Sequence, residues 1–571
     1  MVRAIHARAA RAARTSATRA SLAFFAGTWA LLAAFRAHAP LHLDTARDLL
    51  IARDCALGLY CPGAGPRSSF GGLLQGATWP RLLEVREQFG WSLAALEHAA
   101  DLLLACAAAA VPLVARRIGA PANALTWALW FPGTLWTIGY PRLWNPTPWP
   151  LALVLTFLAL LQAARSGGAA MFVLAAGALA LAVDVHVATA VMLPLAIAVA
   201  AAGARRPVVA LALAAGVFVG VLAWLSPGAF AENRATLAPY MALLLAGLGL
   251  AVVVGLLARR WFVGDGDRRA RLVAVVACGY GSVALALLSL ITGHGLDPRY
   301  FAPIVTPAAI VLGMRGSSLL APRWRVGLLV AVAAGHIALW GVQRVVDRQF
   351  RLIEAEAVAA ELYGRGLAFG DLYRHLRGPR AFDLVGTLAA LEPNDGRTAG
   401  RDGLDWLIVR APRAALPSPV PDAWQVVELG DSHVAVIVAA APTVAIEPVE
   451  VCGAGDCTRV AVDVERFAQG PGMQWSARAH AGLVGLPGRL AGASAVTYRL
   501  PRRMDAAPRD IVVFPDDCGR WQVDGGRGDV VAFTVAPRRR CRWWLPPFAE
   551  VDVRDLALSS LVASAGADSP Q

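Results

Sequence analysis

Residues 207–225 read PVVALALAAGVFVGVLAWL, nineteen positions without a charged side chain. At about 1.5 Å per residue a helix of that length spans roughly 30 Å, the hydrocarbon thickness of a bilayer. Similar runs occur near 20–37, 93–115, 121–139, 147–164, 168–183, 186–203, 240–258, 272–291, 301–320 and 326–343, which makes eleven expected spans. The 571-residue chain is 57% hydrophobic and 16% charged, with a mean hydropathy of +0.53, too apolar for a soluble globular protein of this size. The expected fold is therefore a polytopic α-helical membrane protein.

The charges orient it. The net charge is +13, and every basic residue is Arg. No basic stripe interleaved with aromatics appears, which excludes nucleic acid as a partner. Arginines instead fill the loops on one side, from Arg3, Arg8, Arg11, Arg14 and Arg19 through Arg116, Arg117, Arg165, Arg205, Arg206, Arg259 and Arg260 to Arg325. The short loops on the other side hold only Arg142, Arg234 and Arg299. By the positive-inside rule the N-terminus is cytoplasmic, and an odd number of spans puts the C-terminal region outside. The first run is long enough to span and lacks a convincing cleavage site, so it reads as an anchor. Arg-only usage with abundant Ala and Gly fits a bacterial chain, hence the bacterial cytoplasmic membrane.

Three blocks follow: a membrane domain over 1–343 with a large external loop at 38–92, an extracytoplasmic α/β region at 345–440, and an extracytoplasmic β-sandwich at 445–571. The last is read from short strands such as TRVAVDVERF and DVVAFTVAP between Gly, Pro and Asp turns. Cys106 and Cys278 fall inside spans. Cys55 and Cys61, Cys452 and Cys457, and Cys518 and Cys541 are close pairs in external segments, as three local disulfides would require. A zinc site is the rival for CGAGDC, which has no nearby His.

The chemistry concentrates just after the first span, in HLDTARDLLIARD (His42–Asp54). Asp44, Arg47 and Asp48 are spaced i, i+3, i+4 and share one face of a helix. At a membrane boundary such a carboxylate can take a proton from a hydroxyl, and an Arg one turn away can orient it or hold a phosphate oxygen. An interfacial helix whose Asp and Arg pair at the surface accounts for the same spacing. Three further outward loops carry polar groups: GYPRLWNPTPWP with Arg142 and Asn145, AVDVHVATAVMLP with Asp184 and His186, and TGHGLDPRYFAPIVTP with His294, Arg299 and Tyr300. Ionisable groups collecting on one face suggest a shared cavity. Each has a plainer reading: His186 as a helix cap, and Trp144 and Trp149 as interfacial belt aromatics.

Taken in order, DTARDLLIAR, PRLWNPTPWP, DVHVATAVMLP and DPRYFAPIVTP resemble the external elements of GT-C glycosyltransferases, in particular the bacterial branch related to protein O-mannosyltransferases and lipid A aminoarabinose transferases. The likeness covers the membrane domain and not the external blocks. Two departures stand out. Thr45 replaces the second acidic residue that many relatives have after the first, and Asp184 stands where Gln is expected. The resemblance implies transfer of a sugar from a polyprenyl-phosphate donor to a glycan, lipid or protein acceptor on the external face. Asp44 would be the general base, with inversion at the anomeric carbon. Arg299 with Tyr300 would hold the departing phosphate, aided by Arg47 and Arg142; Asp48, His186, Asn145 and His294 would complete the pocket. No metal or other cofactor is required; Asp44 with Asp48 is the pair that would hold a divalent ion. The alternatives are an envelope-lipid transporter or flippase, and an inactive relative serving as a scaffold.

Overall fold

The computed structural model describes residues 2–36, 43–56, 64–65, 73–120, 123–139, 143–262, 265–292, 298–319, 321, 323–324, 327, 331, 334–335, 351–365, 376–377, 387–388, 391, 405–422, 424–430, 432–440, 447–453, 456–462, 465–466, 480–485, 496–501, 521–524, 530–535 and 542–545. Arg142, His294 and most of the expected span 326–343 lie outside that set. Asp44, Arg47 and Arg299 are described in backbone only.

In chain order the helices are α1 (Val2–Arg36), α2 (Leu43–Ala56), α3 (Thr78–Phe89), α4 (Leu93–Arg117), α5 (Ala124–Ile138), α6 (Trp149–Ser166), α7 (Ala169–Val185), α8 (Leu193–Gly203), α9 (Pro207–Leu225), α10 (Pro227–Leu237), α11 (Met241–Ala258), α12 (Gly266–Thr292), α13 (Ala302–Leu319) and α14 (Leu352–Gly364). Among the described residues, helices occupy ten of the eleven expected runs, and the few described residues of the eleventh, 326–343, are helical as well. Five stretches among the described residues are long and apolar enough to cross a membrane: Ser16–Ala34, Leu93–Arg117, Trp149–Ser166, Pro207–Leu225 and Pro227–Phe262. Ala169–Val185, Val187–Gly203 and Ala302–Arg315 are shorter apolar helices. Helices α3 and α10 lie where the sequence reading had only loops.

The chain divides into two compact units. The first comprises Met1–His38, Gly63–Leu82 and Ala94–Asp347. Here α6 packs on α7 and α12, α7 on α9, α8 on α11, and α5 on α13. Leu104, Val111, Ile118, Trp130, Leu161 and Phe172 belong to its core. Small residues set the closest crossings, as between apolar helices generally. A Cβ on Gly255 of α11 would run into the Ala198 carbonyl of α8, and one on Gly313 of α13 into Thr126 of α5. By contrast, α9 and α11 turn most of their surface outward: Val208 is 79% exposed, Trp224 78% and Leu243 73%.

The second unit comprises Ala39–Pro62, Leu83–Leu93 and Arg348–Gln571. Strands β1 (Leu376–Arg377), β2 (Asp405–Pro412), β3 (Trp424–Glu428) and β4 (His433–Ala440) form a sheet in the order β1-β2-β4-β3, with β1 parallel to β2 and the rest antiparallel. In β4, Val434, Ala435, Val436 and Ile437 are all buried, so this central strand is covered on both faces and reads as a continuous apolar run. Val434 and Val436 pack with Ala411 and Trp424. On the opposite face Arg410, register partner of Ala435, makes a bidentate ion pair with Glu354 of α14 at 2.7 and 2.8 Å. Both side chains are buried, and Glu354 also accepts the Arg351 N–H at 2.8 Å, so its charge is well supplied with donors.

Beyond β4, β5 (Glu447–Gly453), β6 (Asp456–Val462), β9 (Val496–Pro501), β10 (Trp521–Asp524) and β11 (Val530–Val535) form an antiparallel sheet in the order β10-β11-β9-β5-β6. Strands β7 (Glu465–Arg466), β8 (His480–Gly485) and β12 (Arg542–Leu545) form a three-stranded one in the order β12-β8-β7. Cys452 and Cys457 face each other in the β5–β6 register. Cys61, Cys518 and Cys541 lie outside the described residues, as do the pairings that use them. Cys106 and Cys278 are free thiols.

Candidate functional site

The site is assembled in the first unit, around the end of α7. His186 caps that helix: its N–H returns to the Ala182 carbonyl at 3.0 Å, and the chain then tightens into a 3-10 turn over Val187–Met192. Cap and turn bury Asp184, His186 and Thr189 close together in sequence. Trp149, the first residue of α6, is their platform. Its ring stacks on the His186 imidazole with centroids 3.9 Å apart and planes 11° from parallel. Its indole N–H donates to Thr189 Oγ1 at 2.7 Å. Since indole only donates, the Thr189 proton is left for the Ala182 carbonyl, 3.0 Å away. Tyr300, from the 3-10 turn Pro298–Phe301, belongs to one buried apolar cluster with Trp149, Leu153, Val185, Ala188 and Ala302. His186, stacked on Trp149, and Tyr300, in the same cluster as Trp149, are more than a hundred residues apart in the chain. The belt reading of Trp144 and Trp149 is corrected: both are buried, at 4% and 0% exposure.

Over this end lies a strap from the loop before α3. Gly76 N–H donates to the Asp184 carbonyl at 2.7 Å, and the Thr78 hydroxyl donates to the Asp184 carboxylate. Leu74 is held on both sides by one amide: its N–H donates to Asn233 Oδ1 at 2.7 Å, and Asn233 Nδ2 donates to its carbonyl at 2.8 Å. Ala77 N–H donates to Ser226 Oγ at 2.7 Å, and Arg81 reaches the Leu225 carbonyl at 3.1 Å. Gln75 Oε1 accepts from Val187 N–H at 3.4 Å, beside His186. Glycine is required at 76, where a Cβ would enter the Asp184 carboxylate.

Next to Thr189 an apolar pocket opens between α6, α7, α8 and the start of α13, lined by Leu153, Phe157, Leu179, Met192 and Pro303, with Thr156 and Thr189 contributing its hydroxyls. Asn145 is buried in the turn leading to α6. There the Trp144 N–H donates to Thr147 Oγ1 at 3.1 Å and the Trp144 indole to the Ile138 carbonyl at 2.7 Å.

Asp44, Arg47 and Asp48 lie on α2, in the second unit, whereas Asn145, His186, Arg299 and Tyr300 belong to the first. On α2, Thr45, Asp48, Leu49, Ala52 and Arg53 are all buried. At Asp48 and Arg53, then, the helix does not present a solvated charged face, as the interfacial reading supposed. No group of three or more His, Cys, Asp or Glu placed to hold a metal occurs among the described residues. Sequence reading passed over Gln75, Thr78, Asn233 and Ser226. The available signal was the polar residues of two short stretches between apolar runs, GGLLQGAT and SPGAFAENRATL. No protein-family model, curated protein or solved structure matches this chain.

Proposed function

We propose that this chain is a multi-pass, membrane-embedded glycosyltransferase that moves a sugar from a polyprenyl-phosphate donor to an envelope acceptor on the extracytoplasmic face. The proposal includes eleven spans, a cytoplasmic N-terminus, and the two antiparallel sheets of 447–545 as halves of a sandwich with a Cys452–Cys457 bridge. The observation that carries it is the stacking of His186 on buried Trp149, in one cluster with Tyr300, under a strap drawn from the first long loop and beside an apolar pocket. That arrangement offers ring-stacking and hydrogen-bonding groups, which suit the polar head of such a donor.

In the reaction, Asp44 removes the proton of an acceptor hydroxyl as that oxygen bonds the anomeric carbon. The bond from that carbon to the lipid phosphate oxygen breaks on the opposite side, with inversion. Arg299 and Tyr300 take up the charge on the departing phosphate by charge-assisted hydrogen bonds. Arg47, Arg142, Asp48, Asn145, His186 and His294 bind or orient the donor. Phosphate is already a good leaving group, so the scheme uses no metal.

The test is Asp44→Asn, assayed by transfer of a radiolabelled sugar from polyprenyl-phosphate in membranes. Transfer falls at least about a thousandfold, as expected when a general base is lost, with protein level and gel-filtration profile unchanged. Retained transfer removes Asp44 from the mechanism. A deletion strain whose envelope lacks no sugar removes the glycosyltransferase reading and favours a transporter or scaffold.

A further inference from the structure

At the opposite end of the first unit, the last turn of α8 and the end of α11 form a rigid basic corner. Gly255 of α11 abuts Ala198 of α8, and the Phe262 ring lies 3.5 Å from where a Cβ on Gly203 would sit. The backbone N–H of Arg205 donates to the Gly167 carbonyl at 2.9 Å, which fixes the link from α8 to α9. Two vicinal pairs of arginines, Arg205–Arg206 and Arg259–Arg260, emerge there, all four exposed. Among the described residues none of the four has an acidic partner, whereas Arg165 at the same end is paired with Asp267 at 2.7 Å. The Arg260 guanidinium instead lies over the Trp261 ring, 5.1 Å from its centroid, and Trp261 is itself 60% exposed. Immediately beyond the arginines the surface is bare hydrocarbon: Val208 is 79% exposed, Leu257 70% and Leu256 47%.

We propose that this corner is a binding site for an anionic phospholipid. Its phosphate is gripped by the Arg205–Arg206 and Arg259–Arg260 pairs, and its acyl chains lie on the apolar surfaces of α9 and α11. Guanidinium forks fit phosphate oxygens two at a time, and four uncompensated cations at one corner repel one another until an anion joins them. The indole fits the headgroup–hydrocarbon boundary, where it is half apolar and half polar. The exposed valines and leucines need acyl chains, which a soluble phosphate lacks. Charge and apolarity thus point to one amphiphile. The site rests on the membrane reading but not on the glycosyl-transfer chemistry.

The experiment uses the full chain in a mild non-ionic detergent, with native mass spectrometry during titration with phosphatidylglycerol, phosphatidylcholine of the same acyl chains, or glycerol phosphate. The wild type binds phosphatidylglycerol at least about tenfold more tightly than phosphatidylcholine, at the strength expected of a few arginines near an anionic headgroup. Arg205→Gln/Arg206→Gln and Arg259→Gln/Arg260→Gln each lower that affinity about tenfold, and Arg234→Gln, an exposed arginine at the strap end, leaves it unchanged. Equal affinity of the wild type for the two lipids overturns the site, and this comparison needs no variant to fold. So do double variants indistinguishable from Arg234→Gln, or glycerol phosphate binding as well as the lipid. Carbonate extraction of the native membranes separates the two readings: release of the wild type from the pellet sinks the membrane assignment, whereas retention without lipid preference sinks only the corner.

Discussion

The strap end of the first unit and the wall formed by α9 and α11 are built on opposite rules. At the strap end, buried polar groups are held by specific partners: Asp184 by Thr78, Trp149 by Thr189, and both backbone groups of Leu74 by Asn233. On the wall, the nineteen residues of α9 bury only Ala210, and α11 buries only Ala251 and Gly255. The first region depends on direction and distance, since an unmade buried hydrogen bond costs more than a made one yields. The second, as the proposed lipid-facing surface, depends on apolarity alone, because lipid has no shape to match. Substitutions that respect chemistry but alter geometry should therefore injure the strap end and spare the wall, where only substitutions that add charge should tell.

The largest effect is expected on the wall. Leu250, mid-way along α11 and 63% exposed, faces the proposed hydrocarbon. Leu250→Arg should disfavour insertion by about 3 kcal/mol, against less than about 0.5 kcal/mol for Leu250→Ile. A glycosylation-reporter insertion assay on the isolated segment measures both. Equal insertion of the Arg and Ile forms would mean that this run does not enter the bilayer as a span, and the contrast would collapse.

Next comes Gly76. Gly76→Ala places a methyl inside the Asp184 carboxylate and should cost about 2 kcal/mol or more, because both partners are pinned by other bonds and cannot retreat. Thermal unfolding in detergent should show a clear downward shift. Gly247→Ala, on α11 where a Cβ meets nothing, should raise the midpoint slightly or leave it unchanged. A matching loss in the two variants would show that helix propensity, not the strap, is being measured.

These two regions also mark what was legible in the sequence. PVVALALAAGVFVGVLAWL announces a helix because nothing in the run has to be satisfied by a distant residue. β4 could be found as HVAVIVAA for the same reason, since burial on both faces leaves an unbroken apolar run. Asn233 was invisible because its meaning lies at Leu74, 159 residues away. His186 and Tyr300 were picked out as polar residues at the ends of apolar runs. Trp149, on which His186 stacks, was weighed as an interfacial aromatic, because sequence cannot distinguish an indole facing headgroups from one stacked on a buried imidazole. Helix α10 escaped because Ser226 and Pro227, good helix-start residues, precede a stretch with no clear apolar face.

A gentler probe of the strap end is Trp149→Phe. It keeps an aromatic ring beside His186 but removes the N–H that Thr189 accepts at 2.7 Å. The expected loss is about 1 kcal/mol, with Thr189→Val costing about the same and the double variant less than the sum. Additivity in that cycle would show that the bond contributes nothing beyond packing. Trp224→Phe on the wall, where the indole is 78% exposed, should leave the folded stability unchanged.

The smallest effect lies in the second unit, where solvent blunts what burial sharpens. His433 is partly buried, and desolvation together with Arg410 and Arg351 pushes its pKa below the ordinary histidine value, while Glu354 pulls it back. The neutral ring is thus favoured in the folded state. Above the unfolded-state value of about 6.5 neither state takes a proton there, and the contribution is fully present. As pH falls below that value the unfolded chain protonates first, and stability declines until the folded ring also titrates. Unfolding midpoints of the full chain between pH 7.5 and 5 should therefore drift downward, and His433→Gln should flatten that one component of the slope. An unchanged slope in the variant would place the titration elsewhere. It would also mean that the positive surroundings of this ring are screened out, leaving the buried, hydrogen-bonded end of the first unit as the place where polar chemistry is held tightly.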